Sequence, residues 1–132
     1  MTALADTSVW VAAFRRRDDQ LLAAAADGDV CVCPPDVLEL LVGLPSPGAV
    51  RAWRRYLADL PSVALDEQVA GRAAEVVELL AGRAGGQHRA TPAPDLLIAA
   101  CAEVAGVPLL HDDRHFERIA AVTGQDVRRV PA

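Results

Sequence analysis

The segment Asp95-Leu96-Leu97-Ile98-Ala99-Ala100-Cys101-Ala102 constrains the fold more than any other. Strong helix formers follow Pro94 at once, and the residue before a proline is pushed out of the α region, so a helix starts close to Asp95. Its apolar side chains cover every face, and a helix of that kind has to be buried on all sides. Asp95 stands at its beginning, where an aspartate can serve simply as a helix cap. Three other carboxylates occupy comparable junctions, which gives Asp95 a second possible role in a site.

The flanking pattern supplies the layers that such a helix needs. Leu4-Ala5 ends a buried first strand at Asp6, and Thr7 or Ser8 can cap a helix through Trp10, Val11 and Phe14 to Arg15-Arg16-Arg17. Asp18-Asp19 opens a second helix, which Gly28 stops, and Val30 to Cys33 has the character of a buried strand. Pro34-Pro35 starts a helix that ends near Gly43. Pro45 to Pro47 breaks the chain, and Val50 to Leu60 forms an amphipathic helix with Trp53 and Leu57 on one face. Ser62 to Leu65 is expected as a third strand, ahead of a helix from about Glu67 to Arg83 and a polar loop over 85–91. Gly106 stops the helix that Asp95 begins, and Val107 to Leu110 forms the fourth strand. After a polar turn from His111 to His115 come a helix around Phe116 and Ile119 and a last edge strand within Asp126 to Val130. Strands alternating with helices specify an α/β fold with a mainly parallel sheet covered on both faces. In such sheets ligands bind outside the carboxyl ends of the strands, where strand order reverses.

Composition excludes several functions. The 132 residues suffice for one domain over 1–132 with a core of its own. Apolar runs are interrupted well short of the roughly 20 residues a membrane helix requires, and no leader-like segment precedes Leu4, so a cytoplasmic protein without a membrane partner is expected. Cys31, Cys33 and Cys101 are odd in number and lack metal-ribbon spacing, which suits buried thiols. The net charge is −5 and all 13 basic residues are arginine, so binding nucleic acid would require a local arginine patch or a metal ion.

The acids are the distinctive feature. Asp6 follows the first strand, Asp112 and Asp113 follow the fourth, and Asp95 begins the helix that feeds the fourth. Glu39 lies between Leu38 and Leu40, either on a solvent-facing strip shared with Asp36 or among partners that repay its burial. Several carboxylates at one sheet edge raise one another's pKa, and a divalent cation keeps them ionised. Hard oxygen donors without accompanying cysteine or histidine favour Mg²⁺ or Mn²⁺ over zinc. His111 and His115 lack a convincing third zinc ligand. An ion held this way suits phosphodiester hydrolysis by an activated water. Thr7 and Ser8 are a cap with a possible hydrogen bond to a ligand carboxylate. The arginines at 15–17, 51, 54, 55 and 89 could meet phosphates or simply solvent.

Asp6-Thr7-Ser8-Val9-Trp10, Pro35 to Gly43 with Glu39 at its centre, Asp95 to Ala100, and Leu109 to Glu117 resemble, in order and spacing, the motifs of PIN-domain nucleases, above all the VapC toxins of bacterial toxin–antitoxin modules. The resemblance implies a three-layer α/β/α sandwich and a Mg²⁺- or Mn²⁺-dependent endoribonuclease acting on RNA. It also implies a homodimer, inhibited by a VapB-type antitoxin whose tail fills the active-site groove. By the same resemblance Asp6, Glu39, Asp95 and Asp113 are the acidic site residues, with Asp6 and Asp95 as direct metal ligands. The chain departs from the pattern at His115, where the family often carries an acid. Asp113 is preferred to Asp112 because its spacing to Phe116 fits. A receiver-like phosphoacceptor domain would require a lysine, which this chain lacks, and a haloacid-dehalogenase-like phosphatase would require an acid at Ser8. An inactive PIN-like binding module is the remaining alternative.

Overall fold

A computed structural model describes residues 2–16 and 18–130. Met1, the two C-terminal residues and Arg17, the third member of the expected arginine cluster, lie outside the described residues. Four short parallel strands, β1 (Ala3–Ala5), β2 (Val30–Cys31), β3 (Leu109–His111) and β4 (Val127–Arg129), form a sheet in the order β2-β1-β3-β4. The helices are α1 (Thr7–Arg16), α2 (Asp19–Ala26), α3 (Pro34–Val42), α4 (Pro47–Ala58), α5 (Glu67–Ala81), α6 (Ala93–Ala105) and α7 (Arg114–Thr123), with a single 3₁₀ turn at Gln87–Ala90.

Successive strand residues point to opposite faces, and this alternation divides the core in two. Leu4, Cys31 and Leu109 face one way and join α5, α6 and α7 through Val69, Val76, Leu80, Ile98, Phe116 and Ile119. Ala5 and Val30 face the other way and join α1 to α4 through Val9, Trp10, Leu21, Leu40 and Leu57. The result is an α/β/α sandwich. Helix α6, apolar on all sides, is packed against α3, α5 and α7. It ends at Gly106, whose φ of 71° is left-handed and favours glycine, while the Val107 N–H returns to the Ala102 carbonyl. No helix among the described residues is long and apolar enough to cross a membrane.

Three local expectations need correction. The strand expected at Ser62–Leu65 is reduced to one bridge, Ser62 beside Val32. The Val32 N–H donates to Pro61 O, and the Val63 N–H to Val32 O. Beyond these the chain leaves the sheet edge, and Asp66 caps α5 through the Val69 N–H at 2.9 Å. Helix α4 begins inside the proline cluster, with Pro47 in its first turn and the Ser46 hydroxyl accepting from the Ala49 N–H at 3.2 Å. His111 belongs to β3 rather than to a polar turn, and it is buried against Phe116.

Candidate active site

Strand order reverses between β1 and β3, so the carboxyl ends of these two strands open a crevice. Asp6 leaves β1 there, with its backbone N–H donating to Leu110 O of β3 at 2.9 Å. It is also the residue that caps α1: its Oδ2 accepts the Ser8 N–H at 3.1 Å and the Ser8 hydroxyl at 2.7 Å. Thr7 and Ser8 are therefore not the cap. Both hydrogen-bond to carboxylates of the crevice.

Asp95 lies in the first turn of α6, but it does not cap that helix. Pro92 occupies the cap position and no side chain caps it. With its backbone N–H donating to Pro92 O, the Asp95 carboxylate is free to point at the crevice. Its Oδ2 lies 3.0 Å from His115 Nδ1, which is also 3.2 Å from Asp113 Oδ1. Asp113 caps α7 through the His115 N–H. Asp112 turns away instead, toward Arg129 Nη1 at 3.3 Å. The two neighbouring acids thus have opposite surroundings, and Asp113 is the one beside Asp95.

Glu39 arrives on α3, which packs against α1 and α6. Carboxylate oxygens of Asp6, Glu39 and Asp95 all lie within 4.8 Å of one another, and a second group of ligand atoms from Asp95, Asp113 and His115 meets the same limit. Asp6 and Asp95 are only 4 % and 8 % exposed. Burial raises the pKa of Asp6, against the Ser8 hydrogen bonds, and Asp113 raises it further. Burial also raises Asp95, with the His115 hydrogen bond opposing and the charge of Asp6 adding to the shift. Glu39 is raised by burial and then by Asp6 and Asp95. No arginine pairs with any of these three carboxylates among the described residues. The donor set, all oxygen with one imidazole at its margin, fits a hard divalent cation.

Asp36 is the residue that sequence reasoning misplaced. Of the two placements open for Glu39, the solvent-facing strip holds at Glu39, which is exposed, but not at Asp36, which is 0 % exposed. Its Oδ1 lies 2.9 Å from Thr7 Oγ1, and that hydroxyl is 3.4 Å from Glu39 Oε1. The signal available in the sequence was the i, i+3 spacing of Asp36 and Glu39, which puts both on one helix face. The three cysteines are free and buried, and burial pushes the Cys31 thiol up to about 11.

The sequence profile of the PIN domain matches residues 3–122. Ribonuclease VapC18 of Mycobacterium tuberculosis is 34% identical over 126 residues, covering 95% of this chain and 92% of that protein. Ribonuclease VapC2 of the same species is 47% identical over 74 residues, or 56% of this chain, and in that match the chain spans about half (51%) of the relative. Among solved structures, VapBC2 from Rickettsia felis, bound to a DNA fragment from its promoter, superposes with a TM-score of 0.74 at 16% identity, covering 98% of this chain and 99% of that one. With its α/β/α fold, its clustered acids and a full-length VapC relative, the chain belongs to the PIN-domain family, in its VapC branch.

Proposed function

We propose that this chain is a divalent-metal-dependent endoribonuclease, the toxin of a type II toxin–antitoxin pair, acting in the cytoplasm as a single domain. The observation that carries the reading is the convergence of carboxylate oxygens from β1, α3 and α6 within 4.8 Å. Asp6 and Asp95 are the direct ligands of Mg²⁺ or Mn²⁺, and Glu39 completes the cluster. When bound, such an ion supplies charge to the phosphodiester and acidifies the attacking water. The chain's own residues hold the geometry: Ser8 fixes Asp6 by two hydrogen bonds, and His115 ties Asp95 to Asp113. Asp113, partly open to solvent, orients the water.

RNA as the substrate is supported by the arginines of α4. Arg51, Arg54 and Arg55 form an exposed stripe at i, i+3 and i+4 spacing and make no ion pair with a described residue. A groove of about 260 Å³ lined by Phe14, Leu40, Leu44 and Trp53 opens beside Glu39. It offers a VapB-type antitoxin segment a place from which to cover the site, and the VapBC2 complex supports such a partner. Leu38 and Val42 expose 63 % and 85 % of their surface on α3, a face available to a second copy of the chain. A receiver-like reading has no support, because the chain contains no lysine.

The test is incubation of the purified protein with tRNA and rRNA fragments, with Mg²⁺, with Mn²⁺ and with EDTA. Endonucleolytic cleavage is expected with either ion, none in EDTA, and none from folded Asp6→Ala or Asp95→Ala. Full cleavage by both variants overturns the assignment.

A further inference from the structure

Asp36 has no role in the reaction as proposed, yet it is the most enclosed carboxyl among the described residues. Pro34 and Pro35 start α3 and put Asp36 in its first turn, one turn ahead of Glu39 and facing the start of α1. One of its oxygens, Oδ2, has no hydrogen-bond partner. A buried acid left half-satisfied costs stability. Glu39, by contrast, projects from an exposed part of α3 on a long side chain and is repelled by Asp6 and Asp95. Among the described residues the only hydrogen-bonding side chain within reach of its carboxylate is Thr7, at 3.4 Å.

We propose that Asp36 is a positioning residue of the site: with the Thr7 hydroxyl it forms a buried strut that keeps the Glu39 carboxylate turned toward Asp6 and Asp95. The proposal rests on the metal-nuclease reading above. Thr7 Oγ1 sits between two carboxyl oxygens, 2.9 Å from Asp36 and 3.4 Å from Glu39. A hydroxyl has a single proton, so it serves both contacts only when one carboxyl brings its own. Asp36 is fully enclosed and Glu39 is exposed, so burial favours the neutral form at Asp36 and makes it the partner that does so. Its acid proton then satisfies Thr7, and the Thr7 proton is left for Glu39. Without the strut, Glu39 loses its one donor on that side and swings into water.

The experiment compares Asp36→Val, Asp36→Asn, Thr7→Val and the double valine variant with the wild-type protein. Two readouts are taken: the Mn²⁺ titration of the thermal midpoint, and kcat and KM on a fluorogenic RNA. Asp36→Val and Thr7→Val are each expected to weaken the Mn²⁺ titration and lower kcat by roughly 10- to 100-fold, the usual effect of losing a supporting hydrogen bond around a metal site. KM should change little, and the double variant should be no worse than either single one. Asp36→Asn, whose amide can donate to Thr7, recovers most of the loss. Wild-type Mn²⁺ response and kcat in both folded valine variants overturn the proposal. Should Asp36→Val fail to fold, Thr7→Val decides alone, since it cuts the strut and leaves Asp36 in place. An absent Mn²⁺ response in the wild-type protein would instead overturn the metal-nuclease reading itself.

Discussion

The carboxylate cluster should make the ion-free protein less stable than a variant with one acid fewer, and Asp6→Asn measures by how much. Oxygens of Asp6 and Asp95 approach within 4.8 Å, and both residues are buried. Two unit charges at that separation repel by about 3.5 kcal/mol in an effective dielectric of 20 and by about 0.9 kcal/mol in bulk water. Proton uptake at the raised pKa values removes part of this, so a gain of about 1 to 3 kcal/mol is expected. Asparagine can keep the local frame. Its carbonyl oxygen takes the place of Oδ2 and accepts both Ser8 donors, and its amide then faces Glu39 and Asp95 as a donor. For a chain of this size the gain corresponds to a rise in thermal midpoint of about 3 to 10 °C. Differential scanning calorimetry in EDTA at pH 7.5 measures it.

Mn²⁺ should then reverse the order. A ligand at a hundred times its Kd stabilises the native state by about 2.7 kcal/mol, and only the wild-type protein keeps the full set of acids to collect it. The two midpoint-against-[Mn²⁺] curves therefore cross. If Asp6→Asn melts below the wild-type protein in EDTA and both respond equally to Mn²⁺, the acids are not a strained ion site and the reasoning fails.

The same shifts predict a pH profile. Asp6, Asp36, Glu39 and Asp95 all have raised folded pKa values, so the native state holds protons that the unfolded chain has released. Their contribution to stability is complete below the ordinary carboxylate pKa of about 4 and is lost as pH rises through the folded values. The EDTA midpoint should fall as pH rises above the ordinary carboxylate range, and saturating Mn²⁺ should flatten the fall; a midpoint that climbs with pH in EDTA refutes it. Replacing Arg51, Arg54 and Arg55 by alanine should raise KM for RNA with kcat little changed. It should also flatten the dependence of log affinity on log salt by about 0.7 for each phosphate that is no longer neutralised, and an unchanged slope removes α4 from the RNA path.

How much of this was legible in the sequence depended on whether the deciding interaction was local. Leu4-Ala5-Asp6 carries its message in adjacent residues, an apolar run ending where a polar one begins. At β3 the same rule stops one residue early, because the buried His111 still belongs to the strand, and the parallel sheet places both ends at one rim. Helix α6 announced itself by having no polar face over 96–102. Ser46-Pro47 also gave a local signal, a cap followed by a first-turn proline, and reading Pro45 to Pro47 only as a breaker overlooked it. Ser62 to Leu65 had the composition of a strand, but a strand also needs a neighbour along its length, and this segment finds only Val32. Asp36 shows the limit most clearly. Nothing within 34–43 decides whether the Asp36–Glu39 face meets water or protein; α1, arriving from near the N-terminus with Thr7 in its first turn, decides it. Spacing along one helix puts two acids on a common face, but the packing of a second helix against that face buries one of them and leaves the other at the crevice. The acids that follow β1 and β3 were therefore readable as neighbours at one rim, whereas the acid packed beneath Thr7 became visible only once α1 and α3 were in contact.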